Sequence, residues 1–238
     1  MLKVIGRVYG IIATCIMVLS LCMGTAQAIP LTNSLVTPAD IDALFNSGAL
    51  VSMTDVFDFA PMNFVSGDGI VESGYMPGRA GTGAEGLYLY FYGINVNSDS
   101  SDKVRGMSID FKGLYTSLDI NGGADDTSVY CVVGPCGGLS PTAASYDLGT
   151  DVISFYFIDV STFDPTLIPG TFSKYFGAVS SLAPGIVTAN LIDSGDEASP
   201  QVYAPIAPVP EPATLLLLGS GLLGCVALAR FRGKKTNG

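Results

Sequence analysis

Apolar and polar positions alternate with a period of two over much of this chain, which is the pattern of half-buried β-strands. The clearest run is residues 86–96, where leucine and phenylalanine alternate with tyrosine. Similar runs predict further strands near residues 107–111, 129–133, 144–148, 153–157, 172–179 and 186–192. Gly149-Thr150-Asp151 predicts a hairpin turn between two of them. Short strands joined by Gly, Asn, Asp and Pro turns favour an antiparallel β-sandwich or jelly roll.

One short helix is predicted ahead of these strands, near residues 38–46. Thr37 can cap it, Pro38 suits its first turn, and Asp40 favours the positive end of the helix dipole. Ile41 and nearby apolar residues form a helical stripe, which Gly48 brings to an end. The predicted fold is therefore mainly β, with one short N-terminal helix.

The two ends of the chain depart from the β pattern. At the N-terminus, Lys3 and Arg7 precede an apolar run, and Ala26-Gln27-Ala28 follows it. A charged start, an apolar middle and a small-x-small site predict a secretory signal peptide over residues 1–28. Residues 29–198 are then the exported β domain.

The C-terminal sequence predicts a membrane anchor. Residues 199–209 are a proline-rich, extended spacer, and the uncharged segment 213–229 follows a short distance on. As a helix this segment reaches about 25 Å, which is short for a bilayer core of about 30 Å, so either thinning of the bilayer or snorkelling by the flanking arginines would have to help. The basic tail 230–235 belongs on the cytoplasmic side, which places the β domain outside.

These C-terminal features together resemble a known sorting signal. The triplet Pro210, Glu211 and Pro212, the apolar helix and the basic end with Arg230 and Arg232 resemble the PEP-CTERM signal of Gram-negative bacteria. The resemblance covers residues 210–235. It implies recognition by exosortase, a membrane-embedded transpeptidase that cleaves near the triplet, and a link to extracellular polysaccharide and biofilm. It assigns no chemistry to residues 29–209.

The amino-acid composition excludes several kinds of catalysis and binding for the exported domain. The 238-residue chain has no histidine, which removes Ser-His-Asp and Cys-His catalysis and histidine-based metal sites. Between the two sorting segments, five basic residues stand against twenty acidic ones, a net charge of −15. This charge repels nucleic acid, so nucleic acid is excluded as a partner.

Two cysteines remain in the exported domain, Cys131 and Cys136. In an oxidising compartment this spacing predicts a small-loop disulfide, with Gly134-Pro135 turning the chain between them. The alternative is a redox-active pair. It is disfavoured because the spacing is not Cys-x-x-Cys and no histidine can activate a thiolate.

Two features are candidate ligand sites. Tyr88, Tyr90 and Tyr92 lie on one face of the predicted strand 86–96, where they could stack on sugars or simply pack against a second sheet; packing is the favoured interpretation. The loop from Asn95 to Asp102 has oxygen side chains at alternate positions, as calcium loops do, but it departs from the EF-hand pattern. We therefore expect no metal site and no cofactor, with calcium as the alternative.

The sequence predicts a non-enzymatic surface or extracellular-matrix protein, sorted through its tail and linked to exopolysaccharide or biofilm. It would be anchored in the inner membrane before processing and then lie at the cell surface or outside the cell. Its expected partners are an exosortase-type transpeptidase, the membrane and a polysaccharide. The alternatives are a polysaccharide-binding module, or a glycoside hydrolase that uses paired carboxylates.

Overall fold

The structure is a computed structural model, and it describes residues 28–31, 33–59, 67–120, 129–132, 138–193 and 195–207. The chain divides into two compact units, Met1–Ile206 and Ala207–Gly238. All described residues except Ala207 belong to the first unit, so the sheets and helix below are those of that unit.

The described residues form one α-helix, one 3-10 turn and a series of short strands. Helix α1 is Pro38–Leu44, and the 3-10 turn is Ser47–Ala49. The strands are β1 (Ala28–Leu31), β2 (Asn33–Val36), β3 (Val51–Phe57), β4 (Gly69–Pro77), β5 (Tyr88–Val96), β6 (Gly106–Asp110), β7 (Leu114–Tyr115), β8 (Val129–Val132), β9 (Ala143–Asp147), β10 (Val152–Tyr156), β11 (Phe176–Ser180), β12 (Pro184–Ile192), β13 (Glu197–Ala198) and β14 (Gln201–Pro205).

These strands make two seven-stranded sheets. The first sheet has the order β1-β9-β10-β6-β12-β13, with β14 also paired to β12. The second sheet has the order β2-β8-β11-β5-β4-β3, with β7 also paired to β11. The pairs are antiparallel except for β2 and β8, which run parallel. The prediction of a mainly β fold with one short helix is confirmed, and the predicted hairpin between β9 and β10 is present. The jelly-roll topology stays a prediction.

Helix α1 begins where the sequence predicts and ends two residues earlier. A capping box closes its start, because the Thr37 amide donates to Asp40 Oδ2 at 2.8 Å and the Asp40 amide donates to Thr37 Oγ1 at 3.3 Å. The hydrogen bonds from Thr37 hold the pKa of the Asp40 carboxyl below its usual value. The helix ends at Leu44 because Phe45 is extended, fully buried and bridged to Gly78. The C-terminal end of the helix is therefore set by a tertiary contact, which the pattern of apolar residues along the helix cannot predict.

Seven strands lie where no strand was predicted: β1, β2, β3, β4, β7, β13 and β14. Strand β4 pairs with β5 over its whole length, from Gly69 opposite Val96 to Pro77 opposite Tyr88. Strand β14 lies inside the segment 199–209 that was interpreted as a spacer, and Val202 and Ala204 are buried there. The folded unit therefore extends to Ile206 rather than 198. Prolines of this segment mark the ends of a strand, since β14 begins directly after Pro200 and ends at Pro205.

The core lies between the two sheets. The ring centroids of Phe155 on β10 and Phe176 on β11 are 4.6 Å apart, and the ring of Tyr92 on β5 lies near both. A second apolar cluster covers part of the opposite face of the second sheet, where Ile41 and Phe45 of the α1 region pack with residues such as Leu89. The second sheet is therefore covered in part on both faces, which is why β5 is buried along most of its length.

The predicted membrane helix, residues 213–229, lies outside the described residues. Within the described ranges, no helix combines the length and the apolar character needed to cross a bilayer.

Candidate functional site

The tyrosine row of β5 lies mainly inside the core. Tyr90 and Tyr92 are fully buried, and Tyr88 is half-buried at the start of the strand. Each buried hydroxyl has a backbone acceptor: Tyr90 donates to Leu182 O at 2.8 Å and Tyr92 donates to Tyr203 O at 3.0 Å. These bonds satisfy the phenols without water, as buried polar groups require.

Burial also sets the acidity of these phenols. Desolvation raises the pKa of Tyr92 well above its usual value, with a smaller contribution from the neighbouring Tyr90. The pKa of Tyr90 is raised by burial first and then by its neighbours Tyr88 and Tyr75. Both hydroxyls therefore stay protonated hydrogen-bond donors at neutral pH.

The structure adds two tyrosines to this row. Tyr75 on β4 contacts Tyr88 with a ring-centroid distance of 6.3 Å and contacts Tyr203 on β14 at 5.2 Å. Sequence reasoning missed both residues because neither β4 nor β14 was predicted as a strand. The period-two alternation of Tyr203 with the buried Val202 and Ala204 was the signal available for β14. The tyrosines join strands of the fold to one another, which is a packing role.

The opposite face of β5 borders a groove. This groove, which we name the outer groove, has a volume of about 270 Å³. Its sheet side is formed by strands β4, β5, β8 and β11, and its other side by helix α1 and the 3-10 turn. The residues lining it are Pro38, Ile41, Asp42, Ser47, Leu50, Glu72, Met76, Leu89, Tyr90, Phe91, Tyr130, Val132, Tyr175, Phe176 and Gly177.

Glycines explain how strands can meet so closely beside this groove. A Cβ at Gly74 would collide with the ring of Phe91, and a Cβ at Gly177 would collide with the backbone of Tyr90. Gly93 lies under the ring of Tyr175. Phe91 and Tyr175 in turn meet edge to face, with ring centroids 5.5 Å apart. Glycine in a strand often marks such a close approach of ring or backbone.

The charged residues that line the outer groove in the described part of the chain are both acidic. Glu72 accepts a hydrogen bond from the Tyr175 hydroxyl, with 2.6 Å between Oε2 and the phenol oxygen. Asp42 lies on helix α1 and is exposed. The outer groove therefore combines an apolar and aromatic lining with two carboxylates.

The loop considered for calcium uses several of its oxygens inside the protein. Ser100 donates to Oδ1 of the fully buried Asp68 at 2.7 Å, and the Asp102 amide donates to Ser100 Oγ at 3.0 Å. Partial burial raises the pKa of Asp102, and the charge of Asp68 adds to this. In the ranges the structure describes, no group of three or more Asp, Glu or Cys side chains is arranged to hold a metal ion. These contacts are those of a structural turn.

The remaining predicted site residues lie largely outside the described residues. Cys131 is buried in β8 with its side chain in the core, while Cys136 lies outside the described ranges, so the disulfide stays a prediction. The sorting residues Pro210, Glu211, Pro212, Arg230 and Arg232 also lie outside them.

The folded unit defines a class of protein, a mainly β domain built of two sheets and followed by a separate C-terminal segment. That segment identifies the family: residues 208–232 match the family model of the PEP-CTERM protein-sorting motif. The chain therefore carries the PEP-CTERM sorting motif, and PEP-CTERM proteins are in general exported and processed by exosortase at the membrane. Neither a curated protein nor a solved structure matches the chain.

Proposed function

We propose that this chain is a non-enzymatic surface or extracellular-matrix protein, whose β domain is the part delivered outside the cell. The observation that carries the proposal is the sorting motif at residues 208–232, which follows directly on a folded unit that extends to Ile206. Its signal peptide would direct export, and its C-terminal helix would hold it in the inner membrane until exosortase acts. Exopolysaccharide or biofilm is the setting we propose for it.

The character of the β domain supports a structural role. Tyr90 and Tyr92 are used for packing, and their hydroxyls donate to backbone carbonyls rather than facing solvent. The absence of histidine from the chain removes the commonest general base of hydrolases. The burial of Tyr90 and Tyr92 also weighs against polysaccharide binding through the tyrosine row.

The sorting step is tested in a host that carries exosortase. Replacing Pro210, Glu211 and Pro212 together with alanine, or deleting residues 230–235, should leave the chain uncleaved and associated with the inner membrane. The measurement is immunoblotting of membrane, surface and medium fractions, which reports both the size of the chain and its location.

A matched pair of single variants controls for the loss of charge. Glu211→Gln should impair processing, whereas Glu197→Gln, an exposed position in β13, should be processed like the wild type. Equal processing of the wild type and the triple alanine variant would overturn the sorting part of the proposal. Wild-type protein that is processed but never reaches the surface or the medium would overturn the surface or matrix part.

A further inference from the structure

The outer groove lies on the other face of β5 from the buried tyrosine row, of which Tyr90 alone also borders it, and the function proposed above makes no use of it. We propose that the outer groove binds a small organic cation that carries an apolar chain, namely an alkylammonium. This proposal goes beyond the delivery of the protein, because it assigns a ligand class to the β domain itself.

The lining of the groove selects for an apolar chain. Leu89 and Phe91 lie on the sheet side, Met76 on β4 is half-buried beside them, and Ile41 of helix α1 lies on the opposite side. Apolar surface removed from water contributes about 25 cal/mol per Å², so an alkyl chain gains by entering. A volume of about 270 Å³ is just below the usual range for drug-sized ligands, which indicates a short chain.

The charges along the groove select for a cation. The charged lining residues among those the structure describes, Asp42 and Glu72, are both acidic. The exported domain as a whole has a net charge of −15, which raises the local concentration of cations and repels anions.

Aromatic rings beside the Glu72 carboxylate fit the same ligand. Tyr175 meets Phe91 edge to face and donates its hydroxyl to Glu72, so a ring and a carboxylate are held side by side. An ammonium group near an aromatic face is attracted by the ring quadrupole, and this adds to its attraction to the carboxylate. An anionic or neutral ligand with the same chain would gain only the apolar part.

The test compares three ligands with one chain length: hexyltrimethylammonium, hexanoate and 1-hexanol. The full chain is held in lipid nanodiscs, because a C-terminal membrane helix is predicted, and empty nanodiscs serve as the blank. Saturation-transfer NMR titrations give the dissociation constants. We expect saturable binding of hexyltrimethylammonium, weaker binding of hexanol and the weakest binding of hexanoate.

Two pairs of variants locate the binding. The double variant Asp42→Asn with Glu72→Gln should weaken binding of the cation about fivefold, since two partly exposed charge pairs together contribute roughly 1 kcal/mol. The control, Asp99→Asn with Glu197→Gln, removes the same charge at exposed positions away from the groove and should bind like the wild type. Ser47→Trp places a ring at the groove and should abolish binding, whereas Ser101→Trp on an exposed loop should not.

Each other result contradicts the proposal. Absence of saturable binding, or equal affinity for all three ligands, would overturn it. So would an unchanged affinity in the Ser47→Trp variant, because the cation would then bind elsewhere. If Ser47→Trp fails to fold, as judged by near-ultraviolet circular dichroism, the charge-removing double variant still decides, and affinity equal to its control would overturn the proposal.

Discussion

Strand β5 has two faces with different surroundings, although both are rich in large apolar side chains. On the face toward the first sheet, Tyr90 and Tyr92 are fully buried in the common core. On the other face, Leu89 and Phe91 border the outer groove, beside the glycines of neighbouring strands. The inner face is filled by rings from other strands, whereas the outer face keeps about 270 Å³ of space.

The difference shows what makes an aromatic residue structural rather than available to a ligand. Both the ring and the hydroxyl of each inner tyrosine have partners in the fold. The rings contact phenylalanines, and the hydroxyls donate hydrogen bonds to backbone carbonyls. Phe91 and Tyr175 on the outer face contact each other, and both also border the outer groove. An alternating tyrosine pattern is therefore a weak indicator of a ligand face, because the inside of a sheet accommodates it as well.

Removal of an inner ring should have the largest effect. Tyr92→Ala deletes a ring that contacts Phe155 and Phe176 and leaves the Tyr203 carbonyl without its donor. Large-to-small changes of this kind lower the free energy of unfolding by about 3–5 kcal/mol. Urea unfolding followed by near-ultraviolet circular dichroism measures the loss.

The same substitution at an exposed tyrosine gives the control. Tyr156 on β10 is 38% exposed, so Tyr156→Ala should cost about 1 kcal/mol or less. Similar losses in the two variants would mean that the tyrosine row does not support the core, and the contrast between the two faces of β5 would fail.

A smaller but clear loss of stability is expected when a side-chain atom is added where two strands lie very close together beside the outer groove. Gly177→Ala brings a Cβ into the backbone of β5, so the strands must shift, and overpacking of this kind costs about 1–3 kcal/mol. Gly195→Ala is the control, because no atom lies within 4 Å of the added Cβ there. The two unfolding midpoints in urea are compared, and equal midpoints would contradict the close approach.

Removal of a single hydroxyl should have the smallest effect at neutral pH. Tyr92→Phe keeps the ring and loses one hydrogen bond, at a cost of about 1 kcal/mol. At alkaline pH the difference in unfolding free energy between the wild type and Tyr92→Phe changes sign. Burial raises the pKa of Tyr92 in the folded state above the unfolded value of about 10, so its contribution is intact below pH 10 and declines as the pH rises further.

The measurement is the free energy of unfolding of both proteins between pH 8 and pH 11.5. The wild type should lose stability more steeply than Tyr92→Phe above pH 10, while the remaining slope of the variant reflects other buried phenols such as Tyr90. Parallel curves would show that the Tyr92 hydroxyl is not buried in the folded state.

Strands with regular alternation were predictable from the sequence, and others were not. Strand β5 begins two residues later than predicted and ends as predicted, and the capping box of Thr37 and Asp40 starts helix α1 at the predicted residue. Strand β4 was missed because both of its faces are partly covered, so that Gly69 and Gly74 replace the expected side-chain alternation. Strand β14 was missed because prolines at its ends resemble a linker.

In the candidate site, too, some features could be predicted from the sequence and others could not. The tyrosine row and its favoured packing interpretation follow from one strand, yet the outer groove joins residues from 38 to 177 that no local pattern relates. Tyr175 and Glu72 are 103 positions apart in sequence and share a hydrogen bond only because β11 and β4 both pair with β5.

By itself the sequence determined the membership of this chain among PEP-CTERM proteins, its mainly β character and the place of its helix, because sorting motifs, period-two alternation and caps are local properties. Only the tertiary structure decided which face of β5 is closed, where the folded unit ends and where the outer groove forms. Burial and cavities depend on which distant strands meet, and strand pairing is fixed by the whole sheet rather than by any one segment.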